Sequence, residues 1–149
     1  MKRIVLVAAT LLLGAGAVVA QQDLIDQSHA LMKANGKNLG GVLSPMARGD
    51  KPFDQAAVDA ALAQLADTAS KLPSLYPASV KAVKQDAEYI PSAKVWDDPA
   101  GFAAAIASFA QAVNGAKGKI TDLDSLKAAL PTIAKTCSGC HETFRVKNG

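Results

Sequence analysis

The feature that most constrains this chain is the segment Cys137-Ser138-Gly139-Cys140-His141, close to the C-terminus. If the segment is helical, both thiols and the histidine share one face, because residues at i, i+3 and i+4 are neighbours on a helix. Cys137 and Cys140 can then bond to two vinyl groups of one porphyrin while His141 offers an imidazole to its iron. This spacing is typical of covalent haem attachment. The sequence therefore predicts one haem c per chain, and the fold must enclose a large flat group.

Three other interpretations of the two cysteines remain open. A thioredoxin-like redox pair needs a βαβ context, and the sequence offers no convincing strand. A structural zinc site needs four ligands, and His29 is the only histidine besides His141. A disulfide between cysteines three residues apart on a helix would be strained. Cys137 and Cys140 are the only cysteines, so no other thiol competes for haem.

The first twenty residues are predicted to be a cleaved secretory signal peptide. Lys2 and Arg3 precede an apolar run from Ile4 to Val19, and Ala20 is a small residue before the expected cleavage point. The mature chain would then begin at Gln21 and reside in the bacterial periplasm. An uncleaved membrane anchor is the alternative, although the apolar run is short for a membrane span.

The predicted mature segment, residues 21–149, has the size of one domain with a single core. The full chain has 16 basic and 13 acidic residues. Removing Lys2 and Arg3 with the signal peptide leaves 14 basic against 13 acidic residues. This near-neutral charge gives no sign of nucleic-acid binding. The abundance of alanine and the few β-branched residues favour helix over sheet.

Four segments place apolar residues at helical spacing, which predicts four amphipathic helices. Their predicted bounds are Leu24 to Met46, Asp54 to Leu72, Asp98 to an end marked by Gly115 and Gly118, and Thr121 through the cysteines to Phe144. Asp54 and Asp98 are expected N-caps, and Thr121 is expected to begin a capping box. Pro131 should kink or divide the fourth helix. Together these helices predict an all-α, antiparallel four-helix bundle with haem attached to the C-terminal helix.

These residues resemble the class II c-type cytochromes, the family of cytochrome c′. The haem motif near the C-terminus is followed by Phe144-Arg145. Leu31-Met32-Lys33-Ala34-Asn35-Gly36 lies in the first helix, and Lys94-Val95-Trp96 lies in the long loop before the third. The resemblance covers essentially all of the predicted mature chain. It implies a four-helix bundle in which His141 is the proximal iron ligand.

The family divides according to the group opposite the proximal histidine. This chain resembles the low-spin cytochrome c-556 branch, which implies that Met32 is the sixth iron ligand. Ser28 stands where the five-coordinate cytochromes c′ carry an arginine. Two alternatives remain. In the first, Met32 is an ordinary core residue and the sixth coordination site of the iron is open to nitric oxide or carbon monoxide. In the second, His29, one turn before Met32, is the sixth iron ligand.

Two further residues are candidates for contact with haem. Trp96 is expected to pack against the ring, with ordinary core packing as the alternative. Arg145 is expected to balance propionate charge, with a solvated helix end as the alternative. No nucleophile or acid–base constellation indicates catalysis. The predicted function is therefore non-enzymatic transfer of single electrons between periplasmic redox partner proteins, by a monomer or homodimer.

Overall fold

The computed structural model describes the backbone of residues 3–149 and the side chains from residue 18 onward. Its elements are α1 Arg3–Asn38, α2 Ser44–Arg48, α3 Gln55–Lys71, β1 Tyr89–Pro91, α4 Lys94–Asp97, α5 Pro99–Ala116, α6 Leu123–Phe144 and β2 Arg145–Lys147. The long helices α1, α3, α5 and α6 pack in sequence against one another, which confirms the predicted four-helix bundle. Fully buried side chains between them include Leu43, Val58, Leu62, Leu65, Val113, Leu126 and Ile133.

The first bundle helix widens locally before it ends. α1 continues into Leu39–Leu43, a single π-helical turn, and from there directly into α2. The carbonyl of Gly41 in this turn accepts a hydrogen bond from Lys51 Nζ at 3.1 Å. Gly49 terminates the helix in the left-handed region, with φ of 83°, where a side chain would be strained. The helix thus extends to Arg48, slightly beyond its predicted end.

The N-terminal side chains described by the structure are exposed. Val18 and Val19 are 65% and 61% accessible to solvent, whereas Ile25 is only 3% accessible. The side chains of residues 1–17 and all of residues 1 and 2 lie outside the described part, so the signal peptide stays a prediction. Within the described residues, no helix is long and apolar enough to cross a membrane.

Aspartate side chains cap three of the long helices. Asp54 and Asp98 each accept a hydrogen bond from the amide three residues on, at 3.1 and 2.9 Å, as predicted. The predicted start of the fourth helix was wrong by one residue, because Asp122 rather than Thr121 is the N-cap. Asp122 forms a reciprocal capping box with Ser125. Aspartate ranks above threonine at this position, which accounts for the shift.

The helix α6 passes Pro131 without being divided. Proline has no amide hydrogen and cannot donate to the carbonyl of Lys127, one turn earlier. Both residues are exposed, so water can satisfy this carbonyl. The two cysteines and His141 are therefore carried by one uninterrupted helix.

Two short strands depart from the helix-only expectation. β1 and β2 pair antiparallel, with Ile90 opposite Val146. Next to them, the Ser92 hydroxyl donates a hydrogen bond to the carbonyl of Thr143 at 2.8 Å. Strands of three residues are too short for an alternating pattern to be recognised in the sequence. Their pairing fixes the long loop before α4 against the end of α6.

Candidate haem-binding site

A cavity of about 380 Å³ lies between α1, α5, α6 and the strand pair. Its volume falls in the range of roughly 300–1,000 Å³ that is usual for small-molecule and cofactor sites. The helix α1 contributes His29 and Met32, and α6 contributes Cys137, Cys140 and His141. Apolar side chains that line the rest include Leu39, Leu65, Leu72, Ile106, Phe109 and Phe144. The fold thus gathers both cysteines, both histidines and Met32 around one apolar space.

The thiols lack the lowered pKa of a redox-active cysteine pair. Cys137 and Cys140 are free and partly buried. Burial raises the pKa of both thiols, and the neighbouring Cys137 raises that of Cys140 further. A reactive redox cysteine needs the opposite, a lowered pKa that supplies the thiolate. Among the side chains that the structure describes, no group of three or more potential ligands could hold a metal ion, so the zinc interpretation lacks a ligand set.

His141 follows Cys140 on the same helix and is partly buried in the cavity wall. Burial lowers the pKa of its imidazole, and the positive charge of Arg145 lowers it further. Both effects favour the neutral form of the imidazole. Neutral imidazole is the form that coordinates iron.

The helix α1 forms another part of the cavity wall. Met32 is partly buried and packs against the main core, and Ser28 donates a hydrogen bond to the carbonyl of Ile25 at 2.8 Å. Gly36 also lines the cavity, and a Cβ added there would meet no atom within 4 Å. The space beside this helix is therefore open to a bound group.

Arg145 is the first residue of β2 and lies at the exposed rim of the cavity. Its guanidinium carbon is 4.3 Å from the centroid of the Tyr89 ring. A guanidinium over an aromatic face is a cation–π contact. Arg145 is therefore held by Tyr89 in a defined position rather than extending freely from a helix end. A fixed positive charge at this rim fits the expected interaction with a propionate.

Trp96 is not among the residues that line this cavity, so its expected packing against haem stays a prediction. It lines a separate surface depression. Its Nε1 donates hydrogen bonds to the carbonyls of Tyr76 and Pro77, at 3.1 and 3.2 Å. Its ring meets Tyr76 edge to face, with centroids 6.5 Å apart. Trp96 thus braces the loop that carries Tyr76.

Tyr76 is a cavity residue that the sequence reasoning missed. It meets Phe102 edge to face at 5.4 Å between centroids, and Phe102 meets Phe144 at 5.2 Å. Burial raises the pKa of the Tyr76 hydroxyl, partly offset by a hydrogen bond with Ser28, so the hydroxyl stays protonated at neutral pH. The available signal was its position in the long, proline-bounded loop, since long loops are often functional.

Fold and site together define a class of protein. It is a four-helix bundle in which a C-terminal helix presents two thiols and an imidazole to an apolar cavity that a thioether also lines. These groups fit haem c, whose iron is bound by imidazole and thioether in many cytochromes.

Comparison with known protein families supports this assignment to the haem c proteins. The family model described as Cytochrome C' matches residues 23–145, and the chain belongs to the cytochrome c′ family. It binds haem c covalently, with Cys137 and Cys140 as the attached thiols. The cofactor prediction is thereby confirmed.

Named relatives include a cytochrome c-556 and a cytochrome c′. The chain is 55% identical to cytochrome c-556 of Rhodopseudomonas palustris, over 100% of both chains. It is 39% identical to cytochrome c′ of the same organism, over 97% of both chains. An NMR-validated structural model of oxidised Rhodopseudomonas palustris cytochrome c556 superimposes with a TM-score of 0.75 at 55% identity, covering 86% of this chain and 99% of that one.

Proposed function

We propose that this protein is an exported, non-enzymatic carrier of single electrons, in which His141 and Met32 would bind the iron of its haem. The observation that supports this most is that His141 of α6 and Met32 of α1 line the same cavity. When bound, haem c supplies an iron that accepts and releases one electron. A histidine–methionine ligand pair raises the reduction potential of such an iron.

The packing of α1 supports a fixed position for Met32. One turn after it, Asn35 Oδ1 accepts a hydrogen bond of 2.9 Å from the hydroxyl of Thr68 on α3. That hydroxyl in turn accepts one of 2.9 Å from Gln64 Nε2. Gln64 Oε1 accepts a further hydrogen bond of 3.1 Å from Asn38 Nδ2. These four side chains, the α1–α3 network, resist movement of α1, so that one ligand set suits both oxidation states.

The proposed partners are redox proteins of the periplasm that dock beside the cavity. Exposed Lys33 and Lys37 flank the cavity residues of α1, and exposed Lys147 lies on β2. Positive charges near an electron-exit edge favour fast encounter with an acidic partner surface. Export rests on the N-terminal sequence pattern, and the chain acts as a monomer or homodimer.

The ligand assignment is tested with a matched pair of methionine substitutions in the haem-loaded protein. Met32→Leu removes the sulfur at the cavity while keeping an apolar side chain of similar size. Met46→Leu makes the same change at a core position that is 4% exposed and does not line the cavity. Visible spectra of both oxidation states, with and without carbon monoxide, report the spin state and an open sixth site.

We expect low-spin spectra for the wild type and for Met46→Leu, with a weak iron–sulfur band in the oxidised state. Met32→Leu should become high-spin and bind carbon monoxide. Because His29 lines the same cavity, its imidazole can replace a lost thioether. If Met32→Leu stays low-spin, the double variant with His29→Gln decides whether His29 has moved to the iron. A wild type that is high-spin and binds carbon monoxide would favour the gas-binding alternative.

A further inference from the structure

One nitrogen in the cavity wall has no hydrogen-bond partner. Among the side chains that the structure describes, only His29 Nε2 and Gln85 Oε1 are buried polar atoms without a partner. An unpaired buried polar group is unfavourable, because it has lost its hydrogen bonds to water, so such an atom calls for an explanation. Gln85 does not line the cavity, whereas His29 does. The bound group in this cavity is therefore the natural source of the missing partner for His29.

The helical spacing indicates which part of that group His29 reaches. His29 precedes Met32 by three residues, so the two Cβ atoms are about 5–6 Å apart on neighbouring turns of α1. If Met32 serves the iron, as proposed above, His29 reaches the edge of the porphyrin ring instead. Thioether formation with Cys137 and Cys140 consumes the vinyl groups. The charged groups at the edge of haem c are its two propionate carboxylates, which can accept hydrogen bonds.

We propose that His29 Nε2 donates a hydrogen bond to a haem propionate and thereby helps to set the reduction potential. His29 acts as a positioning and tuning residue and not as an iron ligand. This inference rests on the proposed ligation by Met32, since that ligation places the imidazole at the ring edge.

Two other hydroxyls of the cavity wall, those of Ser28 and Thr136, already donate hydrogen bonds within α1 and α6. Ser28 Oγ donates to the carbonyl of Ile25 at 2.8 Å, and Thr136 Oγ1 donates to the carbonyl of Ile133 at 2.7 Å. Arg145 lies at the exposed rim, where water screens its charge. A buried donor such as His29 Nε2 acts in a lower dielectric, and its effect on a carboxylate is correspondingly larger.

The charge of the carboxylate determines in which direction the hydrogen bond shifts the reduction potential. A hydrogen bond withdraws negative charge from the carboxylate, which makes the more positive, oxidised state less favourable. Removing the donor should therefore lower the reduction potential. We expect a change in the one-electron equilibrium constant of up to about tenfold, equivalent to about 59 mV.

The test compares His29→Leu, which removes the donor, with His29→Gln, whose amide nitrogen can take the place of Nε2. Both are made in the full haem-loaded protein. Resonance Raman spectroscopy follows the propionate bending vibration, spectroelectrochemistry gives the potential, and absorption spectra give the spin state. His29→Leu should shift the propionate band and lower the potential, whereas His29→Gln should retain most of both wild-type values. Both variants should remain low-spin.

Unchanged propionate band and potential in His29→Leu would overturn the hydrogen bond, and equal shifts in both variants would reduce His29 to ordinary packing. Conversion of His29→Leu to a high-spin state would identify His29 as an iron ligand and overturn the inference. Spin state in the Met32→Leu variant reports separately on the ligand assignment, so the two failures are distinguishable. Should His29→Leu fail to fold, the wild-type reduced protein still provides a test by NMR, since a bonded Nε2–H exchanges slowly with water and a free one does not.

Discussion

Thr68 provides a quantitative test of how α1 is held in place. Its side chain is completely buried, and its hydroxyl links Asn35 on α1 to Gln64 on α3 through two hydrogen bonds of 2.9 Å. Thr68→Val preserves the shape of the side chain and removes both hydrogen bonds. Asn35 Oδ1 then lacks a donor and Gln64 Nε2 lacks an acceptor.

The cost can be worked out from the exposure of these partners. Loss of a partner costs a buried polar group about 1–3 kcal/mol. Asn35 and Gln64 are only partly buried, so water reaches them and the lower end of this range applies to each. Thr68→Val should therefore lower the free energy of unfolding by about 2 kcal/mol. Thr68→Ser keeps the hydroxyl and loses one methyl group, which should cost about 0.8 kcal/mol.

The measurement is guanidinium unfolding of the oxidised haem-loaded protein, followed by far-ultraviolet circular dichroism. In thermal unfolding, a domain of this size should lose roughly 4 °C in Tm for each kcal/mol, so about 8 °C for valine and 3 °C for serine. A Thr68→Val variant as stable as the wild type would show that the Thr68 hydroxyl does not stabilise the contact between α1 and α3. A Thr68→Ser variant less stable than Thr68→Val would show that the methyl group of Thr68 matters more than its hydroxyl.

Two further predictions concern the start of α6 and the N-terminus. Hydrogen bonds from the amide and hydroxyl of Ser125 lower the pKa of Asp122 below 3.8. The Asp122 carboxylate therefore stabilises the fold above pH 3.8. This stabilisation is lost as the pH falls through the lowered pKa. Asp122→Asn keeps a capping side chain that does not titrate. Below pH 3.8 its free energy of unfolding should fall less steeply with decreasing pH than that of the wild type. Equal pH dependence of the two proteins would contradict this prediction. The intact mass of the exported haem-loaded protein should correspond to a chain that begins at Gln21. A mass that includes the first twenty residues would favour the uncleaved anchor.

The helices were predictable because their determinants are local. Apolar spacing and the aspartate caps at Asp54 and Asp98 act within one or two turns, and both predicted caps are present. At the fourth helix Thr121 was the predicted start, whereas the N-cap is Asp122, the stronger capping residue, which forms a reciprocal capping box with Ser125. The strand pair could not be predicted, because β1 and β2 are more than fifty residues apart and each is only three residues long.

The same division applies to the site. The sequence by itself determined the cofactor and its attachment, because Cys137, Cys140 and His141 lie within five residues and one helix face brings them together. It also suggested Met32, but only through the resemblance to a family. Tertiary structure decided what surrounds these groups, because contacts between α1, the long loop and β2 arise only when distant segments pack. The Trp96 indole, for example, donates hydrogen bonds to two carbonyls of that loop. The buried, unpaired nitrogen of His29 likewise exists only because the folded chain encloses it.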